Sequence, residues 1–459
     1  MNYDGLVQKY ESPLLKDLKE LIRIPSVRDE ATVGAGAPFG KGPADALKWY
    51  LAKAADMGFR VKNVDGYAGH VEYGEGDELI GVLVHLDVVP PGTGWESEPF
   101  EAVLKDGKVF GRGAIDNKGP ALTILYALKA VKDSGLPLGK RIRIIAGCDE
   151  ECGMSCVDYY LKHEENPTIG FSPDAEFPLI HAEKGIAQFK VTWKAATKGL
   201  MLSGGARPNV VPQVAEALLS PKGSAENWTE FAQNLQNSGS RLPNARIEVS
   251  REENKLKLTA YGKAAHGSTP QKGINAIISL LETIASSQTL DDQLQFLLTA
   301  TKGLNGEGID LALTDEVSGK LTINLGMIKL SEGKGEASID IRCPVTYNLD
   351  QVWEQVRTKF EQAGFGVEIL SFQRSHYVPK DSPLVRTLVN IYRDFTGDKR
   401  EAIAIGGGTY ARMVKGAVAF GPTLPGRDEV AHMANEYILL DDIRVSLKIY
   451  TKALLELAK

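Results

Sequence analysis

The chain has 459 residues, 43% of them hydrophobic, and this length predicts two or three domains at the roughly 150 residues typical of one. Its 53 Lys and Arg residues against 59 Asp and Glu residues give a formal net charge of −6. This mild acidity argues against a nucleic-acid-binding protein, which usually carries a basic surplus.

The N-terminal segment shows no targeting signal. Charged residues interrupt every apolar run of residues 1–19, so we expect neither a signal peptide nor a transit peptide. No segment approaches the roughly 20 apolar residues that a membrane-spanning helix needs. We therefore predict a soluble, cytoplasmic protein without a membrane partner, in which the four cysteines are free thiols.

The first part of the chain alternates strand-like and helix-like segments. We expect helices over residues 41–57 and 120–133 and strands over residues 60–64, 79–85 and 141–146. Strands that alternate with helices predict an α/β fold with a mainly parallel sheet.

The middle of the chain has a different pattern, typical of an α+β domain. Here we expect strands over residues 188–193, 245–250, 255–261, 321–330 and 335–342, helices over residues 274–287 and 349–363, and a polar surface loop over residues 223–240. The helix and strand order of the first part resumes after residue 380. The sequence therefore predicts one discontinuous domain, residues 1–185 and 380–459, with residues 186–379 inserted as a second domain.

Polar motifs follow several of the predicted strands, where α/β sheets place their ligand sites. His85 and Asp87 point to the same side of an extended segment, so Asp87 can accept the imidazole N–H or act as a co-ligand. Asp116 lies in a glycine-rich loop directly before a helix. That loop matches neither a P-loop nor the dinucleotide fingerprint, which leaves a helix cap or a ligand role for Asp116.

Further carboxylates and a second histidine follow later strands. Glu150 and Glu151 end an apolar strand, and such a pair can divide the roles of metal ligand and general base. Asp174 follows another strand-like run, and His432 precedes the last helix. Carboxylate and imidazole ligands suit a pair of divalent ions, which can generate hydroxide at neutral pH. The residues therefore predict metal-assisted hydrolysis.

Six motifs, taken together, resemble those of the co-catalytic zinc peptidases related to aminoacylase, carboxypeptidase G and carnosinase, and most closely the PepV-type bacterial dipeptidases. They are HLDVVPPGTGW at residues 85–95, GRGAIDNKGP at residues 111–120, the Glu150–Glu151 pair, SPDAEFP at residues 172–178, YGKAAHGSTPQKGINAI at residues 261–277 and DEVAHMANE at residues 428–436. The resemblance covers essentially the whole chain. It implies a zinc-exopeptidase-like catalytic domain with an inserted α+β lid.

The resemblance also implies a cofactor of two divalent metal ions, with zinc preferred and manganese or cobalt as alternatives. The implied ligands are Asp116 as the bridge, His85 and Asp174 for one ion, and Glu151 and His432 for the other. Glu150 would be the general base that takes a proton from a metal-bridging water and passes it to the leaving amine. Asp87 would orient His85.

In the lid, the resemblance implies residues that act on the substrate. His266 would stabilise the tetrahedral oxyanion, a role typically worth about 3–4 kcal/mol, although a histidine in such a loop can also cap a helix. Asn209 and Arg342 resemble substrate contacts, and Arg342 suits a bidentate grip on a carboxylate. The remaining implied contacts are Gly407, Gly408 and Thr409, in a glycine-rich segment predicted to form a nest of backbone N–H groups.

The length of the insertion bears on the oligomeric state. In dimeric relatives the lid is about half as long, and the oxyanion histidine comes from the neighbouring subunit. Here an Asn-Val-Val-Pro segment occurs in the first half of the insertion and His266 in the second half, as if two lid units were fused. We therefore predict a monomer.

The resemblance implies a dipeptidase that hydrolyses unblocked dipeptides, including β-Ala-His (carnosine-type) and D-residue dipeptides. An alternative is an N-acyl amino acid deacylase or a succinyl-diaminopimelate desuccinylase, which would share the metal ligands. Such an enzyme needs a cation facing the acyl carboxylate, whereas a dipeptidase needs acceptors for an ammonium group. A non-catalytic metal-binding protein would lack the base, yet Glu150 is present.

Overall fold

The computed structural model describes residues 2–196, 199–220, 225–239, 246–252, 255–287 and 289–459. The chain forms two compact units. The first comprises Met1–His181, Tyr377–Ile403 and Gly408–Lys459, and the second comprises Ala182–His376 and Ala404–Gly407.

Ten α-helices lie within the described residues. They are α1 Tyr3–Ile22, α2 Lys41–Asp56, α3 Lys118–Ser134, α4 Ser155–His163, α5 Ala225–Gly239, α6 Ala276–Ala285, α7 Asp292–Lys302, α8 Leu349–Gln362, α9 Pro383–Thr396 and α10 Leu440–Leu457. Local sequence sets their ends: α9 begins where Ser382 accepts a hydrogen bond from the Val385 N–H, and it ends at Gly397 with φ of 71°. None of these helices is both long and apolar enough to span a membrane.

The strands fall into two large sheets and several small ones. They are β1 Arg60–Val64, β2 Ala68–Tyr73, β3 Leu79–His85, β4 Val103–Lys105, β5 Lys108–Phe110, β6 Arg141–Gly147, β7 Ile169–Ser172, β8 Ala175–Glu176, β9 Ile180–Glu183, β10 Gly185–Lys194, β11 Leu200–Gly204, β12 Val214–Leu219, β13 Arg246–Glu252, β14 Lys255–Tyr261, β15 Thr314–Asp315, β16 Gly319–Lys320, β17 Thr322–Ser331, β18 Lys334–Cys343, β19 Gly366–Gln373, β20 His376–Tyr377, β21 Ile403–Ile405, β22 Ala417–Ala419, β23 Pro422–Thr423 and β24 Tyr437–Leu439.

The sheet of the first unit has a parallel centre. Its order is β1-β2-β6-β3-β7-β22, continuing through the short strands β9 and β20. Strands β6, β3, β7 and β22 are mutually parallel, whereas β1 and β2 are antiparallel additions at one edge. Every residue of β3 is buried, as expected for a strand covered on both faces. The prediction of an α/β domain with a mainly parallel sheet is confirmed.

The second unit is built on one antiparallel sheet of eight strands in the order β13-β14-β12-β11-β17-β18-β10-β19. The sheet consists of two four-stranded halves, which meet where β11 pairs with β17. Helices α5 and α6 pack on the first half, and α7 and α8 on the second. A single hydrophobic core lies between the sheet and these helices.

The boundaries of the units differ slightly from those predicted. The chain leaves the first unit after His181 rather than near residue 185, and it returns at Tyr377 rather than near residue 380. Ala404–Gly407 belongs to the second unit, because the Lys184 N–H donates to the Ile405 carbonyl (3.0 Å) and Arg342 Nη1 donates to the Gly406 carbonyl (2.9 Å). No local sequence pattern reveals such long-range bonds.

The polar loop predicted over residues 223–240 was wrong for the part that is described. Residues 225–239 form helix α5, on which Leu235 is fully buried and Phe231, four positions earlier, packs against the core. This i, i+4 apolar pair holds the helix on the sheet despite its Asn and Gln content. Residues 223, 224 and 240, and residue 245 of the strand predicted over 245–250, lie outside the described residues.

Candidate metal centre

The first group of candidate ligands surrounds His85, the last residue of β3. Its Nε2 lies 2.9 Å from Asp116 Oδ1 and 3.6 Å from Asp174 Oδ1. Asp174 follows β7, the parallel neighbour of β3, so both residues lie at the carboxyl ends of strands. One ligand atom from each of these three residues lies within 4.8 Å of the others, a spacing that can hold a metal ion.

The second group surrounds His432. Its Nε2 lies 2.9 Å from Asp116 Oδ2 and 3.0 Å from Glu151 Oε2, and these three residues again offer ligand atoms within 4.8 Å of one another. Glu151 follows β6, the other parallel neighbour of β3. Asp116 thus presents one oxygen to each imidazole, which is the arrangement a bridging carboxylate requires.

The protonation of the two groups reflects an excess of negative charge. Burial alone would raise the pKa of Asp116, but hydrogen bonds with His432 and His85 lower it below its ordinary value. Hydrogen bonds with Asp116 and Glu151 raise the pKa of His432 to about 10. Burial raises the pKa values of Glu151 and of Asp174. Three half-buried carboxylates share two imidazoles here, so the donor set fits divalent cations that would compensate the surplus charge.

Asp87 contacts His85 and also the backbone of Glu150 and Glu151. Nδ1 of His85 lies 3.0 Å from the Asp87 carbonyl oxygen and 3.6 Å from its carboxylate. The two carboxylate oxygens of Asp87 accept hydrogen bonds from the N–H groups of Glu150 and Glu151, each at 3.2 Å. Asp87 belongs to neither ligand group among the described residues. It therefore holds the Glu150–Glu151 backbone in addition to contacting His85.

Glu150 differs from Glu151 and Asp174 in the hydrogen bonding of its carboxylate. Within the described residues, its side chain makes no hydrogen bond. Burial raises its pKa well above the usual range, and the charges of Asp174, Glu151 and Asp116 raise it further against the effect of His85. A half-buried carboxylate with a raised pKa and no fixed donor is suited to accept and return a proton.

Sequence reasoning missed two residues that support the ligands. Asn117 Nδ2 donates to Asp174 Oδ1 (2.9 Å), and the peptide bond between Asp116 and Asn117 is cis. The fully buried Glu436 accepts hydrogen bonds from the backbone of the Asp116 loop, and burial raises its pKa to about 7. Both residues lie inside motifs already recognised, so polar residues that flank a ligand within a motif were the available signal.

The second unit contains three residues predicted to act on the substrate, Asn209, His266 and Arg342, as well as Gly407. The Gly267 N–H, next to His266, donates to the Asn209 carbonyl (2.7 Å). The buried Arg342 donates from Nε to Asp340 Oδ2 (2.8 Å) as well as from Nη1 to Gly406. Nδ1 of the exposed His266 lies 2.7 Å from the Ser268 hydroxyl.

The glycine-rich segment differs from the predicted nest. Gly407 belongs to the second unit, whereas Gly408 and Thr409 belong to the first. None of Gly406, Gly407 and Gly408 has φ in the left-handed region, so the alternating αR–αL geometry of a nest is absent from this described segment. Gly408 instead makes room for the Arg412 guanidinium, since a Cβ there would lie 2.7 Å from its Cζ. The Thr409 hydroxyl accepts from the Ala411 N–H, 3.1 Å away, and caps a short 3-10 helix.

A parallel α/β sheet with imidazole and carboxylate ligands at the carboxyl ends of its strands is the architecture of a metal-dependent hydrolase. The model of peptidase family M20/M25/M40 matches residues 81–456. The chain therefore belongs to this family and is a metallopeptidase. The family resemblance seen in the six motifs is confirmed.

The similarity extends over the full length of relatives. The chain is 43% identical to the protein of Bacillus subtilis (strain 168) named "Putative dipeptidase YtjP", with 100% of both chains covered. It is 37% identical to a Staphylococcus epidermidis (strain ATCC 12228 / FDA PCI 1200) protein named "Putative dipeptidase", with 98% of this chain and 97% of the relative covered. Among solved structures, human carnosine dipeptidase 1 superposes with a TM-score of 0.60 at 17% identity, covering 100% of this chain and 99% of that one. This structural likeness shows the fold.

Proposed function

We propose that this chain is a dipeptidase that hydrolyses the peptide bond of unblocked dipeptides with the help of two divalent metal ions. Both full-length bacterial relatives named above carry the name dipeptidase, which supports this substrate class. The proposed substrates include carnosine-type β-alanyl dipeptides and D-residue dipeptides. Cytoplasmic location and a monomeric state stay predictions; the two four-stranded halves of the second unit's sheet support the fused-lid argument behind the monomer.

The two ligand groups would hold the metal ions, with Asp116 shared between them. His85 and Asp174 complete one group, and Glu151 and His432 complete the other. Zinc suits this mixed set of nitrogen and oxygen ligands, and manganese and cobalt are alternatives. When bound, such a pair of ions lowers the pKa of a water molecule and polarises the scissile carbonyl.

Glu150 is the proposed general base. Its carboxylate takes a proton from the attacking water and delivers it to the nitrogen of the leaving amine. The hydrogen bonds from the N–H groups of Glu150 and Glu151 to Asp87 fix the direction in which the Glu150 side chain leaves the backbone. This fixed geometry keeps the reorganisation required for proton transfer small.

One observation favours a dipeptidase over a deacylase: an acidic recess beside the ligands in the first unit. A cavity of about 290 Å³ there is lined by Asp116 and Asp174 together with Glu176, Asp428 and Glu429. Glu176, Asp428 and Glu429 belong to neither ligand group, so their carboxylates can accept hydrogen bonds from the ammonium group of an unblocked dipeptide.

The same recess offers no unpaired cation for an acyl carboxylate. Among its described lining residues, Arg427 is the only cation, and it makes three hydrogen bonds of 2.6–3.2 Å to the Asp442 carboxylate. A succinyl or N-acyl amino acid substrate would therefore find mostly negative charge in this recess. The recess supports the dipeptidase over its rivals on the same scaffold.

A substrate panel tests the proposed function. Enzyme stripped with a chelator should lose its activity and regain it on addition of zinc, manganese or cobalt. The reconstituted enzyme should cleave free dipeptides, including carnosine and a D-residue dipeptide, faster than tripeptides, N-acyl amino acids or succinyl-diaminopimelate. Faster cleavage of any acylated substrate than of every free dipeptide would establish the deacylase instead, and full activity in the metal-free enzyme would refute metal dependence.

The remaining proposed residues lie in the second unit, except Gly408 and Thr409, which belong to the first. His266 is proposed to stabilise the oxyanion of the tetrahedral intermediate, as the family resemblance implies. Asn209, Arg342, Gly407, Gly408 and Thr409 are the proposed substrate contacts. Among the described residues, Nη2 of Arg342 makes no hydrogen bond, which leaves this donor available to a substrate carboxylate.

Replacement of His266 should slow turnover rather than weaken binding. His266→Ala is expected to lower kcat about 10²- to 10³-fold, as loss of one oxyanion donor does, with KM changed only slightly. Steady-state kinetics on the best dipeptide measure both values. The matched control is His163→Ala, because His163 is also exposed and lies on α4, and its kinetics should match the wild type. A rise in KM at unchanged kcat would show that His266 binds substrate instead.

A further inference from the structure

Glu436 is a fully buried carboxylate to which the proposed reaction assigns no role. Its Oε1 accepts hydrogen bonds from the backbone N–H groups of Ile115 (3.0 Å) and Asp116 (3.2 Å). Glu436 therefore binds the backbone of the residue whose side chain presents one oxygen to each ligand group.

The second oxygen of Glu436 is bound by Arg112. Nη1 of Arg112 lies 2.5 Å from Glu436 Oε2, and the guanidinium is only 1% exposed. Its other contacts are the Pro91 carbonyl, 3.3 Å from Nη2, and the ring of Trp95, whose centroid lies 5.3 Å away. The Nε of Arg112 is buried without a hydrogen-bond partner among the described residues. Both charges of this pair are thus removed from water.

The pair joins the two segments that carry ligands of the second group. Strand β5, which leads to the Asp116 loop, pairs antiparallel with β24, which follows the His432 loop. The Gly111 N–H donates to the Glu436 carbonyl (2.9 Å) and extends this pairing by one residue. The carboxylate of Glu436 then continues the connection to Asp116 itself. Hydrogen bonds therefore join the loop that carries Asp116 to the segment that follows His432, next to strands β5 and β24.

A buried ion pair is a costly way to gain stability, because each desolvated charge loses hydration and apolar side chains often stabilise equally well. A carboxylate offers what an apolar group does not: two oxygens that accept from fixed donors in one orientation. We propose that the Arg112–Glu436 pair positions the bridging carboxylate, holding the Asp116 backbone so that both ligand groups form together. This inference rests on the proposed two-metal function, and Glu436 is a positioning residue that acts through Asp116.

The test compares Glu436→Gln with a matched control. Glutamine keeps the size and one acceptor oxygen but turns an N–H group toward Arg112. The control is Glu72→Gln, because Glu72 forms a buried pair with Arg143 (2.7 Å) on β2 and β6 of the same unit. Zinc binding is measured by isothermal titration and cobalt binding by its visible absorption, alongside kcat, KM and thermal unfolding.

We expect Glu436→Gln to weaken the affinity for metal about 10- to 100-fold, as loss of partners behind metal ligands typically does. Its kcat should fall at subsaturating metal with KM unchanged, and its cobalt spectrum should change. Glu72→Gln should keep the wild-type affinity and spectrum even if it unfolds at a lower temperature. If Glu436→Gln does not fold, Arg112→Lys should show a smaller loss of affinity in the same direction.

Two results separate the inference from the proposed function. Wild-type affinity and an unchanged cobalt spectrum in the Glu436 and Arg112 variants would overturn the positioning role while leaving the two-metal enzyme intact. A wild-type chain that binds no second metal ion would refute the proposed function itself. Equal losses of metal affinity in the Glu436 and Glu72 variants would show a general effect of stability and would also overturn the positioning role.

Discussion

The Glu150→Gln variant is expected to bind two metal ions and yet turn over substrate about 10²- to 10⁴-fold more slowly than the wild type. Glu150 belongs to neither ligand group, so replacing its carboxylate by an amide leaves all ligand atoms in place. The amide cannot take a proton from the attacking water or deliver one to the leaving amine. Metal content by elemental analysis and kcat on one dipeptide, measured on the same preparation, test both halves of the prediction.

Glu151→Gln is the matched control, because Glu151 is the adjacent residue and its backbone N–H makes the same kind of bond to Asp87. Glu151 lies in the second ligand group, 3.0 Å from His432. Its variant should therefore lose affinity for one metal ion, in contrast to the Glu150 variant. Retained turnover in Glu150→Gln would remove Glu150 as the base, and loss of a metal ion from it would make Glu150 a ligand.

Sequence periodicity predicted the strands that are buried and apolar. Strand β3, which is apolar and buried throughout, begins and ends where predicted. Strand β1 also matches its predicted bounds, although only Val64 of its five residues is buried. Strand β2 was missed, although most of it is buried, because His70 and Glu72 interrupt its apolar pattern. Their partners, Tyr160 at 2.8 Å and Arg143 at 2.7 Å, come from distant parts of the chain. A buried polar pair satisfied by long-range contacts leaves no local signal.

In the candidate site, too, features with a local sequence pattern were predicted, and features that depend on long-range contacts were missed. The ligand residues follow strands in recognisable motifs, and the structure gathers all five of them into two groups. Asp87 was predicted to orient His85, but its hydrogen bonds with the Glu150–Glu151 backbone were not. The contacts of Asn117 and Glu436 were also missed, because they involve carboxylate and backbone atoms that only the folded chain brings within reach. A motif identifies candidate ligand residues, whereas the tertiary structure determines the hydrogen-bond partners of each residue.

The prediction with the widest consequence concerns Asp116, which belongs to both ligand groups. Asp116→Ala is expected to abolish measurable turnover and to weaken the binding of both metal ions. Its Oδ1 and Oδ2 each lie 2.9 Å from a different imidazole, so one substitution removes a ligand from each group. By contrast, Asp174→Ala and Glu151→Ala each remove a ligand from one group only. Equilibrium dialysis followed by elemental analysis measures the metal content of each variant.

The stoichiometries of these variants distinguish a shared bridge from two independent sites. Asp174→Ala and Glu151→Ala should each retain about one tightly bound ion, while Asp116→Ala should retain neither with wild-type affinity. Retention of one ion at full affinity by Asp116→Ala would mean that a group forms without the bridge. Loss of both ions from Asp174→Ala would mean that the groups are coupled through contacts other than Asp116. The single bridging carboxylate therefore makes the two-metal arrangement testable by counting ions, independently of which dipeptide the enzyme prefers.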